Sequence, residues 1–573
     1  MDPSSFQTHQ SSPPPIPPPA PAPVPVTAPP SYPLPTIPLP PATWPVLSEP
    51  PAAHQLLAQF PSYTIRSYLL TNFFDYSSFH WLWPIIHRPV FDGCYMAFSQ
   101  GTHPQSLDFI ALLAIVCASS LQFLPETPQD ATTFASYPYG RHVLQTKLFE
   151  MARTLLLAPH HPTFPSIERI QASLLLAVYA ENESNLVDSY NATGYAIRMA
   201  QSLAMNRDAQ KVWRMKPYEA EQRRRFWWLL FVLDRQQSAS LRRPYMIHEQ
   251  HCDVEIPMNL DQVRLSDGPE LTGFPMTQPT EQLYHIEQIK WARFMGKMWD
   301  QCFGVELPTY RTIINLEEEI RKYEAEIPVP INARVPQTVE SPLNIAFQRQ
   351  IMTLQIAHLR VILMRPFLFA LPEPQGGLPE KHRERLSAFS RHARTVCLYY
   401  CKQLLSLSHL MQKQVTSAHL RWANMTLRVF DAAMTLAVAV VMDPSPQTGK
   451  GLEVWIVLAR EIIRAMGTNN TIAQNALQGV DAICKRIETI LGQRQPMPSL
   501  ADDSSAHNDQ NLASVHPQPS LSDLLGKEEV ENPIWDDIEA TVFAGNLPGL
   551  EALCAPMLAH AMDDFLIGLG RGM

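Results

Sequence analysis

Between residues 55 and 492 apolar positions recur every three or four residues. Ile167, Ile170, Leu174 and Ala177 keep this spacing, as do Ile313, Leu316, Ile320, Tyr323 and Ile327. That period puts the apolar groups on one face of an α-helix. Ser166, preceded by Pro165 and followed by Arg169, supplies a helix start, and Pro308, Pro328 and Pro330 bracket another helix. Strand-like alternation flanked by Asn-Gly or Asp-Gly turns is almost absent. The pattern predicts an all-α fold: a large multi-helix bundle body of roughly fifteen or more helices, with no regular repeat. Two apolar runs, Phe109 to Leu121 and Val429 to Met442, the latter containing Asp431, extend over roughly 14 residues each. A spanning helix needs ~20, so both are expected to be buried helices and the chain to have no membrane segment.

The ends break the pattern. Residues 1–51 are more than a third proline, as in Pro13-Pro14-Pro15-Ile16-Pro17-Pro18-Pro19. Proline lacks an amide donor and restricts its neighbour, which predicts a disordered, extended Pro-rich N-terminal tail, either a spacer or a ligand for an SH3- or WW-type module. After the helical body, 55–492, residues 493–520 read as a polar linker opened by Pro496 and Pro498. Residues 521–573 begin an acidic C-terminal tail in which Asp523, Glu528, Glu529, Glu531, Asp536, Asp537 and Glu539 interleave with large apolar groups. Repulsion among the acids keeps such a segment open while its apolar groups stay available to a partner groove. The candidate activation anchors are Leu524, Leu525, Trp535 and Phe543; the alternative is a marginal helix packed on the body.

Composition narrows the function classes. The 573 residues hold 46% apolar and 17% charged side chains with a net charge of −9. A chain that coats nucleic acid non-specifically needs a Lys/Arg surplus on one face, so any DNA contact is expected to be local or supplied by a partner. Eight cysteines in this length imply reduced thiols rather than a disulfide framework.

The search for chemistry yields little. His248-Glu249-Gln250-His251 is one residue short of the spacing that turns two imidazoles toward one zinc. Cys397 and Cys401 have the i, i+4 spacing but no matched second pair, and read as buried structural thiols. Gly568, Gly570 and Gly572 lead into no helix that could hold a phosphate. No catalytic, cofactor or metal residue is assigned, and the expectation is no enzyme. The strongest local signal runs from Glu219 to Arg235, where Glu219 can face Arg223 and Glu221 can face Arg225. Trp227, Leu230 and Asp234 share a face, and core packing with ion-paired flanks is preferred to a nucleic-acid patch.

Several segments in order then resemble the fungal-specific transcription factor domain, the helical middle region of fungal binuclear-zinc-cluster regulators. They are Trp83-Pro84-Ile85-Ile86-His87-Arg88-Pro89-Val90-Phe91, Ile167 to Tyr179 with Gln171, and Gly194 to Asp208 with Arg198 and Ala200. The arginine-tryptophan helix with Arg224, Trp227, Asp234 and Arg235 follows, then Arg243-Pro244, Asp253 to Pro257, and Leu363-Met364-Arg365-Pro366-Phe367-Leu368. These residues are a structural signature. The resemblance spans roughly 75 to 445. No cysteine precedes Cys94, so the six-cysteine cluster and basic helix that such regulators use to enter the major groove are not read here.

The resemblance implies a nuclear transcriptional regulator of a specific pathway or metabolite gene set, without a cofactor. Its partners would be other transcription factors or coactivators, as a possible homo- or heterodimer. DNA targeting would come from a partner or from a zinc cluster outside this sequence. The alternative is a non-transcriptional small-molecule-sensing or scaffolding helical protein.

Overall fold

The computed structural model describes residues 56–492 except 57–58, 78, 101–105, 125–131, 135–139, 158–165, 242, 266–270, 304–309, 334–341, 369–379, 443–445 and 467–469. Both tails, the linker, the four activation anchors and the C-terminal glycines lie outside the described residues. Among those residues there are helices and loops and no strand, the expected all-α fold.

The chain enters through α1 (Tyr63–Thr71), one π turn (Asn72–Tyr76) and α2 (Phe79–Leu82). Next come α3 (Arg88–Ser99), α4 (Leu107–Gln122), α5 (Gly140–Leu157), α6 (Ile167–Asn182) and α7 (Leu186–Ser202). The apolar run expected to be a buried helix is α4, of which every residue after Leu107 is buried. It packs between α5 and α6 as the centre of an N-terminal layer. Ser166 caps α6, its hydroxyl accepting from the Arg169 N–H at 3.0 Å. On α6 the periodic residues Ile170, Leu174 and Ala177 are fully buried, whereas Ile167 is 44% exposed. Ile167 occupies the first helical position, at the rim of the layer.

A short α8 (Ala209–Trp213) precedes α9 (Pro217–Leu241), the arginine-tryptophan helix, which packs on α7 and on α10 (Leu283–Cys302). The predicted stripe on α11 (Tyr310–Glu326) is buried at Ile313, Leu316 and Ile320, and the chain leaves it through Pro328. Arg360 of α12 (Leu343–Met364) joins α11 by donating to Glu317 at 2.9 Å and Glu324 at 2.7 Å, all three side chains being buried. The C-terminal bundle adds α13 (Glu380–Gln414), α14 (Ala423–Met442), α15 (Pro446–Ala465) and α16 (Thr471–Gly492). The second apolar run becomes α14, and here the expectation on length fails. Its 18-residue window Ala423–Val440 is long and apolar enough to cross a membrane. Two-thirds of the window is buried inside the protein (67%), so the run serves as a core helix.

The two layers meet at residues 417–424. Arg421 donates to the Gln122 and Leu124 carbonyls at 3.1 and 3.0 Å, and Arg141 donates to Leu121 and Leu124. Those carbonyls lie at the C-terminal end of α4 and just beyond it, so the arginines cap it from two directions. Trp422 fits between Phe79 and Phe123, with ring centroids at 5.5 and 4.6 Å. The Ala423 N–H donates to Asn182, and Asn424 donates to Glu181 at 3.1 Å. One continuous apolar core, from Leu56 to Ile487, results.

Candidate functional site

Six of the seven signature segments interlock around α9. Asp208, the last residue of the third segment, caps α8 by accepting from the Gln210 and Lys211 N–H groups at 3.2 Å. Arg224 binds the same carboxylate through two bonds, 2.7 and 3.0 Å, and lies 3.7 Å from Glu221 and 3.5 Å from Glu255. Asp253 accepts from the Asp208 N–H at 2.8 Å and from Arg207, while the Glu255 N–H returns to Asp208. Burial works against the Asp208 charge, but the Arg224 bonds and the N–H donors of Glu255 and Lys211 outweigh it and hold the carboxyl down to about 2.

About three turns further along α9, Asp234 accepts from the Met246 and Ile247 N–H groups and from Arg235. Arg235 donates to the Ile247 carbonyl at 2.7 Å and lies over the Tyr245 ring at 3.5 Å. Trp227 is buried against the core. The expected Glu221–Arg225 pair forms at 3.1 Å. Arg223 does not pair with Glu219. It donates instead to the Leu203 carbonyl at the end of α7, because a helix C-terminus offers an acceptor that the surface does not have to order. The α9 arginines are therefore internal ties, as core packing with ionic flanks predicted, rather than a nucleic-acid face.

The first segment joins this framework from the side. His87 meets the Gln262 carbonyl and the Tyr218 hydroxyl, both at 3.4 Å, and Gln171 donates to the Ile85 carbonyl at 3.0 Å. Arg88 pairs with Asp75 and Asp92, Pro89 opens α3, and Phe91 packs on Phe74 and Phe109. Gly194 lets Met246 approach: a Cβ there would stand 3.3 Å from its sulfur. Ala200 and Pro257 are buried; Arg198 is exposed and reaches only Gln201. Arg243 and Pro244 are exposed but held by Tyr190, through its ring and its hydroxyl respectively. The seventh segment is separate: Arg365 pairs with Asp431 of α14, which also meets His358 at 2.9 Å. Pro366 belongs to a short turn of helix whose side chain is outside the described residues.

No group of three or more His, Cys, Asp or Glu that could hold a metal occurs among the described residues. His248 and His251 flank a single turn of 3-10 helix on the surface, and Cys397 and Cys401 are both fully buried on α13. The sequence motifs omit a cavity beside the framework. Trp83 and Pro84 of the first signature segment and Arg225 and Trp228 of the arginine-tryptophan helix line it, together with Gln282, Tyr284, His285 and Arg428. A faint signal was present, since Arg428 and Asp431 are charges in or beside an otherwise apolar run.

The signature residues thus tie the end of α7, α8, α9 and the loop after α9 into one all-α framework. Residues 70–327 match the model of the fungal specific transcription factor domain. It is 26% identical over 276 residues to an uncharacterized transcriptional regulatory protein of Schizosaccharomyces pombe, covering 47% of this chain and 33% of that one. It is 26% identical over 322 residues to the Zn(2)-C6 fungal-type transcription factor mpsB of Macrophomina phaseolina, covering 55% of this chain and 42% of the relative. Identity to the probable transcription factor lepB of Aspergillus flavus is 23% over 524 residues, 84% of this chain and 89% of lepB. The chain thus spans less than half the length of the first two relatives and most of the third. The family is one of transcription factors, not an enzyme class.

Proposed function

We propose that the protein is a nuclear transcriptional regulator of a specific gene set, built as a helical regulatory domain over 55–492 with segments on either side that contact other proteins. The observation that carries this reading is the framework around Asp208, Arg224 and Asp253, which joins the family's motifs within the matched domain. DNA targeting comes from a zinc-cluster partner, in a homo- or heteromeric assembly, or from a cluster outside this sequence. The α9 arginines point inward, and the net charge of −9 opposes direct, non-specific binding. Output runs through residues 521–573, beyond the 493–520 linker, with Leu524, Leu525, Trp535 and Phe543 anchoring in a coactivator groove.

Two measurements test it. The tagged protein is expected to concentrate in the nucleus. The full chain tethered to a reporter is expected to lose activation when Trp535→Ala and Phe543→Ala are combined; unchanged activation would dispose of the tail's role. The cavity favours small-molecule sensing as a second reading, and diffuse cytosolic localisation with no reporter output would favour it over the first.

A further inference from the structure

Where the two layers meet, Trp83, Trp228 and Trp422 wall a partly open cavity. Its empty volume is ≈ 750 Å³ including solvent at the mouth, within the range of small-molecule sites. Much of the polar lining is already satisfied. Gln288 and Gln355 exchange amide bonds at 2.8 and 3.1 Å, Arg225 is held by Glu221 and the Leu260 carbonyl, and Asn424 donates to Glu181.

Four lining side chains are different. Arg428, Gln282, Tyr284 and His285 line the cavity, and among the described residues no hydrogen bond or ion pair is made by their side chains. Gln282, Tyr284 and His285 are buried and Arg428 is half-buried, so their polar atoms are left to whatever fills the cavity, and a polar group facing a largely apolar wall gains from a bonded occupant. Arg428 is pushed down to about 10 by burial and so stays protonated at neutral pH. The carboxylate that acts on it, Glu181, is pushed up to about 7 by burial and is only partly ionised there. His285, pushed down to about 3, chiefly by burial, adds no charge. The cavity carries one uncompensated cation, two neutral donors beside it and an aromatic wall.

That balance selects the occupant. A planar guanidinium meets a carboxylate through two parallel bonds, and one free cation matches one negative charge better than the two of a phosphate monoester. Aromatic walls with a few convergent polar groups take an apolar or planar body. We propose that this cavity binds a small organic monocarboxylate. Arg428 holds the carboxylate, Gln282 and Tyr284 complete its hydrogen bonds, and the three tryptophans enclose the rest. The site joins the family-matched domain, through Trp83, Trp228 and Tyr284, to α12 and α14 beyond it, so an occupant stabilises the seam between the layers. Its test is binding alone and stands whether or not the transcriptional reading does.

The full chain is titrated with acetate, pyruvate and benzoate, and separately with inorganic phosphate, following tryptophan fluorescence and thermal unfolding. At least one carboxylate is expected to give saturable changes in both, and phosphate neither. Arg428→Met, which removes a half-buried charge that no protein group bonds among the described residues, is expected to raise the Tm of the untreated protein and weaken carboxylate binding about tenfold or more. Gln282→Ala is expected to weaken binding with an unchanged Tm. Arg464→Gln, on the surface beside Glu461, is expected to leave binding as it was. The proposal is overturned if no carboxylate in the panel binds, if phosphate binds in their place, or if Arg428→Met binds normally. A lower Tm or a failure to fold in Arg428→Met overturns it too, since that cation would then be a structural partner.

Discussion

At the residue scale, Arg224 answers three carboxylates, Asp208, Glu221 and Glu255, of which the first two are fully buried. Removing one partner from a buried ionic cluster leaves charge in a place that cannot solvate it. Arg224→Met is therefore expected to cost about 3–5 kcal/mol in urea unfolding. Arg198 carries the same sequence signature but is exposed, with Gln201 as its partner, so Arg198→Ala is expected to stay within about 0.5 kcal/mol of the parent. Equal losses would mean that the framework is not what the signature encodes. The helical period made the Glu221–Arg225 pair and the buried Trp227 legible, because both depend on positions within one helix. The Arg224–Asp208 pair crosses between helices, and the missing partner of Arg428 is a fact about space that no local pattern carries.

At the scale of elements, most helices were legible from spacing and from caps such as Ser166, since the 3.6-residue period records which side faces the core. Helix length was less so: α14 begins at Ala423, ahead of the apolar run, where Thr426 is buried and Asn424 is tied to Glu181 of the other layer. Close approach of helices was not legible at all. Gly296 of α10 lies where a Cβ would stand 2.8 Å from Nε of Arg235 on α9. That guanidinium is held by Asp234 and the Ile247 carbonyl, so it cannot swing away without losing both bonds. Gly296→Ala is expected to destabilise by about 1–3 kcal/mol through overcrowding, despite the better helix propensity of alanine. A rise in Tm would show that α9 and α10 do not cross as closely as the structure has them.

At the scale of the whole molecule, the joining of the layers was beyond sequence reasoning, since Arg421 meets Leu124 across 297 residues. Glu181 belongs to that seam, accepting from Asn424 of the opposite layer. Burial raises its carboxyl from an ordinary 4.5 to about 7, so between those values the folded protein keeps a proton that the unfolded chain has released. The stability it contributes is complete below 4.5, declines as pH rises, and is lost above 7. Glu181→Gln keeps the carbonyl acceptor for Asn424 and removes the titration. The variant is expected to melt like the parent at pH 4 and at higher temperature at pH 8, with a gain on the order of 2–3 kcal/mol. Thermal unfolding at a series of pH values reads both ends of the window. If the two proteins melt together at pH 8, the Glu181 carboxylate is solvated or paired when ionised and the seam is more open than the packing of Trp422 requires. If the curves separate only above 4.5, the two layers meet across a buried carboxyl whose charge weakens their union.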